Sequence, residues 1–180
     1  MPADGLSLVL GGAGFLGSHV AEALLARGRA VRIFDRANTD PSRLEAIPRG
    51  WEFLGGDFLN EADQAEALRG VSSVFHLIST TIPATSSLNP IYDVETNLIS
   101  TLRCIELALE SGVKRIVFVS SGGTVYGRPQ TLPIAEDHPT EPLVSYGVVK
   151  LAIEKYLRLY WRPYGLSYRI VRLSPPHGPP

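Results

Sequence analysis

The chain has one cysteine, Cys104, in 180 residues. It cannot form an internal disulfide, and it fits a reducing compartment. A strong charge of either sign is also missing: 17 Lys and Arg stand against 18 Asp and Glu, a net charge of −1. That leaves no basic field for nucleic acid and no polybasic patch for a membrane surface. No apolar run reaches about eighteen residues, so no transmembrane helix is expected. No basic stretch followed by an apolar segment and a cleavage site opens the chain, so no secretory signal is expected. Internal repeats are absent, low complexity is confined to the Pro-rich end, and no metal site is expected. These absences point to a cytoplasmic protein. Residues 1–180 read as one domain, long enough to bury a real core.

What is present begins with a turn. Leu6-Ser7-Leu8-Val9-Leu10 runs into Gly11-Gly12-Ala13-Gly14-Phe15-Leu16-Gly17, and a helical pattern follows at once. A strand, a tight turn and a helix N-terminus aim backbone N–H groups and a helix dipole at one point, a seat for a pyrophosphate. Gly11 allows the sharp exit from the strand, Gly14 lets the backbone approach phosphates, and Gly17 lets the helix pack closely on the sheet. Asp35 closes the next strand, near the offset of about twenty residues at which a carboxylate meets a ribose 2′-hydroxyl. The pattern predicts dinucleotide binding, with NAD favoured because Asp35 would repel a 2′-phosphate. Arg36 beside it, able to meet a phosphate, works against that preference.

Strand-like and helix-like stretches alternate along the rest. Strands are expected at 6–10, 30–35, 51–54, 71–78, 115–119 and 167–173, and helices at 15–26, 61–68, 92–111 and 145–160. Residues 36–49, 83–90 and 129–142 read as loops, the first with at most a short helix. The near-continuous apolar run Ile116-Val117-Phe118-Val119 suits a strand buried on both faces. Six strands with intervening helices predict an α/β fold: a doubly wound, Rossmann-like parallel sheet with helices on both faces. Right-handed crossovers put all six carboxyl ends, including Ser79-Thr80-Thr81 and Ser120-Ser121, on one rim. On the helix that follows, Tyr146 and Lys150 are four residues apart and share a face. A lysine ammonium there favours the phenolate, and a tyrosinate so tuned takes a proton from an alcohol as hydride leaves its carbon. His76 and Cys104 read as packed interior residues.

The chain resembles the extended short-chain dehydrogenase/reductases, and within them the NAD-dependent epimerase/dehydratase family. The resemblance rests on the Gly11–Gly17 turn with Ser18-His19, Gly56-Asp57, Val74-Phe75-His76-Leu77, Asn97, the run from Ser120 to Gly127, and Tyr146-Gly147-Val148-Val149-Lys150. It implies that Gly11, Gly14, Phe15 and Leu16 cover the pyrophosphate, that Asp35 and Asn38 hold the adenosine ribose, and that Asp57 and Phe58 border the adenine. Leu77, Ile78 and Ser79 would line the path to the nicotinamide, with Ser120 close by. Asn97 would fix the active-site backbone, and Lys150 would also bind the nicotinamide ribose. The implied reaction is epimerisation of a nucleotide sugar through a 4-keto intermediate. A homodimer through helices 92–111 and 145–160 is implied as well.

Three positions depart from the family pattern. Leu10 stands where threonine usually precedes the glycines. Gly122 falls at the catalytic Ser or Thr, leaving Thr124, or else Ser121, as the substitute hydroxyl. Pro175 stands where an Asn often contacts substrate. Thr124 also occupies the position at which the family's dehydratases and decarboxylases carry an acid, which favours epimerisation or simple oxidoreduction. Family members are longer, with a C-terminal region that binds the sugar nucleotide, and that region is expected to be absent from this chain. The alternatives are a dehydrogenase or reductase of a non-nucleotide alcohol, and a non-catalytic NAD-binding module.

Overall fold

The computed structural model describes residues 5–40 and 42–174; Pro175 lies outside them. Six parallel strands form one sheet in the order β3-β2-β1-β4-β5-β6. They are β1 (Leu6–Leu10), β2 (Ala30–Asp35), β3 (Trp51–Gly55), β4 (Val71–His76), β5 (Arg115–Ser121) and β6 (Ser167–Leu173). β1 pairs with both β2 and β4, so the strand order reverses beside it. At such a switch point the carboxyl ends of two strands open a crevice.

Side chains alternate across the central strands and separate two cores. Leu8, Leu10, Phe34, Val74 and Phe118 face α3 (Glu61–Leu68), α6 (Ser100–Glu110) and α7 (Ser145–Tyr164), whose Leu68, Ile105, Ile153 and Leu157 complete that core. Val9, Val31 and Ile33 face the other way, onto Ala21 and Leu24 of α1 (Phe15–Leu25) and Leu44 of α2 (Ser42–Glu45). Helices therefore cover both faces, as the alternating pattern predicts. Cys104 is buried in α6, where burial pushes its thiol up to about 12.

The boundaries differ from the sequence reading in several places. β4 ends at His76, and the next residues leave the sheet to line a cleft. The stretch read as a loop at 83–90 contains α4 (Pro83–Ser86), with Pro83 in its first turn, and Pro90 begins α5 (Pro90–Asp93). The long helix that follows is not uniform: Val94–Ile99 is a π-helical turn between α5 and α6. Finally, α7 continues past Tyr160 to Tyr164 and carries Pro163 in its last turn, before Gly165 caps it in the left-handed region. Among the described residues no helix is long and apolar enough to cross a membrane.

Candidate active site

The crevice at the strand reversal is a cleft of about 440 Å³, lined by Gly11, Gly14, Phe34, Asp35, Arg36, Gly56, Asp57, Phe58, Leu59, Leu77, Ile78, Ser79, Thr80 and Tyr92. One end is the glycine turn. Gly11 has φ +80°, which a side chain would strain. A Cβ on Gly17 would lie 2.1 Å from the Gly11 carbonyl oxygen, so only glycine lets α1 start this close to the sheet. Gly14 caps α1 with extended backbone, no side chain caps that end, and the first turn holds no acid. Its leading N–H groups are left for an anion, which is what a dinucleotide pyrophosphate requires.

Asp35 sits beside that end. Its carboxylate accepts from the Ala13 amide (3.0 Å), the Arg36 amide (2.9 Å) and the Thr39 hydroxyl (3.3 Å). A carboxylate has about four acceptor sites, so capacity remains for a ribose hydroxyl. The residues present therefore fit NAD. Not every expected residue reaches the cleft with its side chain. Phe15 and Leu16 are half-buried in the first turn of α1 and are not among its lining residues; Phe15 instead meets His19 edge-on and lies under Arg43. Asn38 is exposed in the turn after β2, and Thr39 is the neighbour that bonds Asp35. Ser120 is buried, and its hydroxyl donates to Glu154 (2.6 Å), which also pairs with Arg172.

Tyr146 and Lys150 are not among the residues lining the cleft; they connect to it through Ser79, which is, and which acts on the Tyr146 phenol. The start of α7 is held by α4: the Ser145 amide donates to the Ser87 hydroxyl (3.1 Å) and the Tyr146 amide to the buried Ser86 hydroxyl (3.0 Å). Two of the N-terminal amides of α7 are thus capped from another segment. Lys150 is 4% exposed. Its Nζ donates to the Val119 carbonyl (3.0 Å) and lies 4.8 Å from the Phe118 ring centre and 5.5 Å from that of Tyr146. Burial pushes the Lys150 ammonium down to about 8, and the charge of Asp93 works against that fall.

The Tyr146 phenol behaves differently from the sequence expectation. Burial raises it above its ordinary value, the Ser79 hydroxyl lowers it by hydrogen bonding, and the negative charge of Asp93 raises it. Desolvation of the phenolate outweighs any help from Lys150 here. The expected substitute hydroxyl is also misplaced. Thr124 Oγ1 is fully enclosed and has no partner, while Ser79 lines the cleft, where its hydroxyl donates to the Thr81 carbonyl (3.0 Å) and acts on the phenol. Gly122 cannot readily carry a side chain, because a Cβ would come within 2.9 Å of the Arg172 carbonyl oxygen on β6. His76 is buried between Phe58 and Phe118, bonds Thr101 (3.1 Å), and is pushed down to about 3 by burial and by Lys150. It is an interior residue, as expected.

Asn97 is tied to the same place. Its Oδ1 accepts from the Thr80 amide (2.8 Å), and its Nδ2 donates to Thr80 Oγ1 (2.8 Å) and to Asp93 Oδ1 (2.9 Å). Thr81 Oγ1 also donates to Asp93 (2.7 Å). Asp93 is the residue the sequence reading passed over. Its signal was the four-residue spacing to Asn97, which puts both on one helix face.

The NAD dependent epimerase/dehydratase family model matches residues 7–180. The chain belongs to that family. Among its relatives, the putative UDP-glucose 4-epimerase of Methanocaldococcus jannaschii is 37% identical over 172 residues, 95% of this chain and 56% of its own length. The UDP-glucose 4-epimerase of Halalkalibacterium halodurans is 36% identical over 92% of this chain and 49% of its own. Two solved epimerases superpose with TM-scores of 0.84. One is the Thermotoga maritima UDP-glucose 4-epimerase with UDP-glucose, 33% identical over 93% of this chain and 54% of its own. The other is the Thermus thermophilus UDP-glucose 4-epimerase complex with NAD, 34% identical over 96% and 58%. The chain spans about half the length of the curated relatives it matches.

Proposed function

We propose that this chain carries the cofactor and acid–base machinery of an NAD-dependent nucleotide-sugar 4-epimerase. The observation that carries the reading is Tyr146 and Lys150 on one face of α7, with the phenol against Ser79 at the end of a cleft built for a dinucleotide. NAD, when bound, supplies a hydride acceptor and a positive charge that favours the phenolate.

The chain's own residues do the rest. The open N-terminus of α1 seats the pyrophosphate, Asp35 holds the adenosine ribose, and Gly56, Asp57 and Phe58 border the adenine. Leu77, Ile78 and Ser79 lead to the reacting end, where Lys150 binds ribose hydroxyls and keeps a positive charge beside Tyr146. Tyr146 Oη takes the proton from the sugar C4 hydroxyl and returns it after the keto-sugar has turned. Ser79, rather than Thr124, is the hydroxyl that steadies the exchange, because the former lines the cleft and acts on the phenol while the latter is enclosed. The exposed apolar side chains Ile91, Ile99, Val148, Tyr156 and Leu159 on α5 to α7 suit a homodimer through these helices.

The test is UDP-galactose to UDP-glucose conversion by the full-length protein. Tyr146→Phe is expected to lower kcat about 10²- to 10⁴-fold, the range for a positioned acid or base. Ser79→Ala is expected to lower it more than Thr124→Val does. Unchanged turnover in Tyr146→Phe overturns the mechanism, and net NADH release without an epimer points to a simple dehydrogenase.

A further inference from the structure

Tyr146, Lys150 and Glu154 stand four residues apart along α7 and form one stripe. Two of them are tied to consecutive residues near the end of β5. Lys150 Nζ donates to the Val119 carbonyl (3.0 Å), and Glu154 Oε1 accepts from the Ser120 hydroxyl (2.6 Å). Glu154 also reaches the next strand. Arg172 on β6 is the register partner of Ser120. Its Nη2 donates to Glu154 Oε2 (2.7 Å) and its Nε to Glu154 Oε1 (3.1 Å). One carboxylate from α7 therefore holds both strands of a neighbouring pair. Glu154 is 4% exposed and Ser120 3%. Arg172 carries the network outward: its Nη1 donates to the Glu136 carbonyl (3.3 Å), and its guanidinium lies 4.8 Å from the Tyr126 ring centre.

A buried ion pair is a poor source of stability, because desolvating both charges offsets their attraction and apolar side chains of similar volume often serve as well. Its best-attested use is to fix register. The apolar residues of α7 that face the sheet, Val149, Ile153 and Leu157, pack without directional preference. They tolerate a small slide or rotation of the helix, whereas hydrogen bonds to Ser120 and Arg172 do not. We propose that Glu154 is a positioning residue: it fixes the register of α7 on β5 and β6, and so sets where Lys150, about one turn away, and Tyr146, about two turns away, stand. The clamp stands on its own geometry, and only its effect on turnover rests on the epimerase reading. α4 holds the first turn of α7 through Ser86 and Ser87, so Glu154 supplies a second fix farther along the helix.

The experiment uses the full-length protein with NAD bound and UDP-galactose as substrate. In the double variant Glu154→Met with Arg172→Met an apolar pair replaces the ion pair, and the denaturation midpoint is expected to stay at or above that of wild type. Its kcat is expected to fall about 10- to 100-fold, as for a small misplacement of a reacting group, with KM nearly unchanged. Ser120→Ala, which leaves the ion pair and cuts the tie to β5, should give a smaller fall in kcat. A second readout needs no turnover: the NMR signal of Tyr146 Cζ, assigned with Tyr146→Phe, is expected to be displaced in both variants. Wild-type kcat or an unmoved Tyr146 signal in the folded double variant overturns the proposal. If the double variant does not fold, Ser120→Ala decides by the same two readings. If wild type itself shows no epimerisation, the epimerase reading fails and the Tyr146 signal alone decides this inference.

Discussion

Gly122 is the residue at which chemistry and packing meet. Its amide donates to Leu173 (2.8 Å), and a Cβ would press on the backbone carbonyls of β6. Restoring the family's hydroxyl there is therefore expected to fail. Gly122→Ser should cost about 1–3 kcal/mol, the usual range for overpacking, in chemical denaturation. It should bring no gain in turnover; a tenfold gain would show that β6 yields and that the steric account is wrong. The missing hydroxyl at this position was legible in the sequence, but its replacement was not. Thr124 is near in sequence, yet its hydroxyl is enclosed. Ser79 is far in sequence, yet β4 and α7 bring it to Tyr146. Sequence spacing orders residues along one element and says nothing about which rim hydroxyl faces another element.

At the scale of elements, α4 matters more than its four residues suggest. It caps α7 with Ser86 and Ser87, and so sets where Tyr146 starts its turn. Ser86→Ala is expected to destabilise the fold by about 1 kcal/mol, as loss of a cap does. It should also lower kcat while leaving NAD affinity nearly unchanged, since Ser86 is not among the residues lining the cleft. A variant with wild-type stability and wild-type kcat would remove α4 from the machinery. The long elements were readable: the apolar runs of β1 and β5, each ending at small or polar residues, carry their own signal. α4 and the π-helical turn were not, because four to six residues are too few to show a period. Proline at the first turn of α4 reads as a loop until the following serines are seen to have amides to cap.

For the whole molecule, the outer sides of α5 to α7 leave Ile91 71%, Val148 52% and Leu159 61% exposed. Exposed apolar side chains on these helices are what the proposed homodimer would cover. Sedimentation equilibrium of the full-length protein is expected to give twice the chain mass, and Leu159→Glu with Val148→Glu is expected to halve it. A monomer in the unmutated protein rejects the homodimer.

Some things followed from the sequence alone. The glycine turn, the acid at the end of β2 and the apolar periods specify a doubly wound sheet with a dinucleotide seat, because each depends on residues close together in the chain. Tyr146 and Lys150 were legible for the same reason: one helical turn joins them. The tertiary structure decided what depends on separate segments meeting. It enclosed Thr124 and brought Ser79 to the cleft, it tied up Ser120 with Glu154, and it buried Asp93 against Thr81 and Asn97. Burial also reversed the expected direction for Tyr146, since the cost of desolvating a phenolate depends on what the fold packs around it.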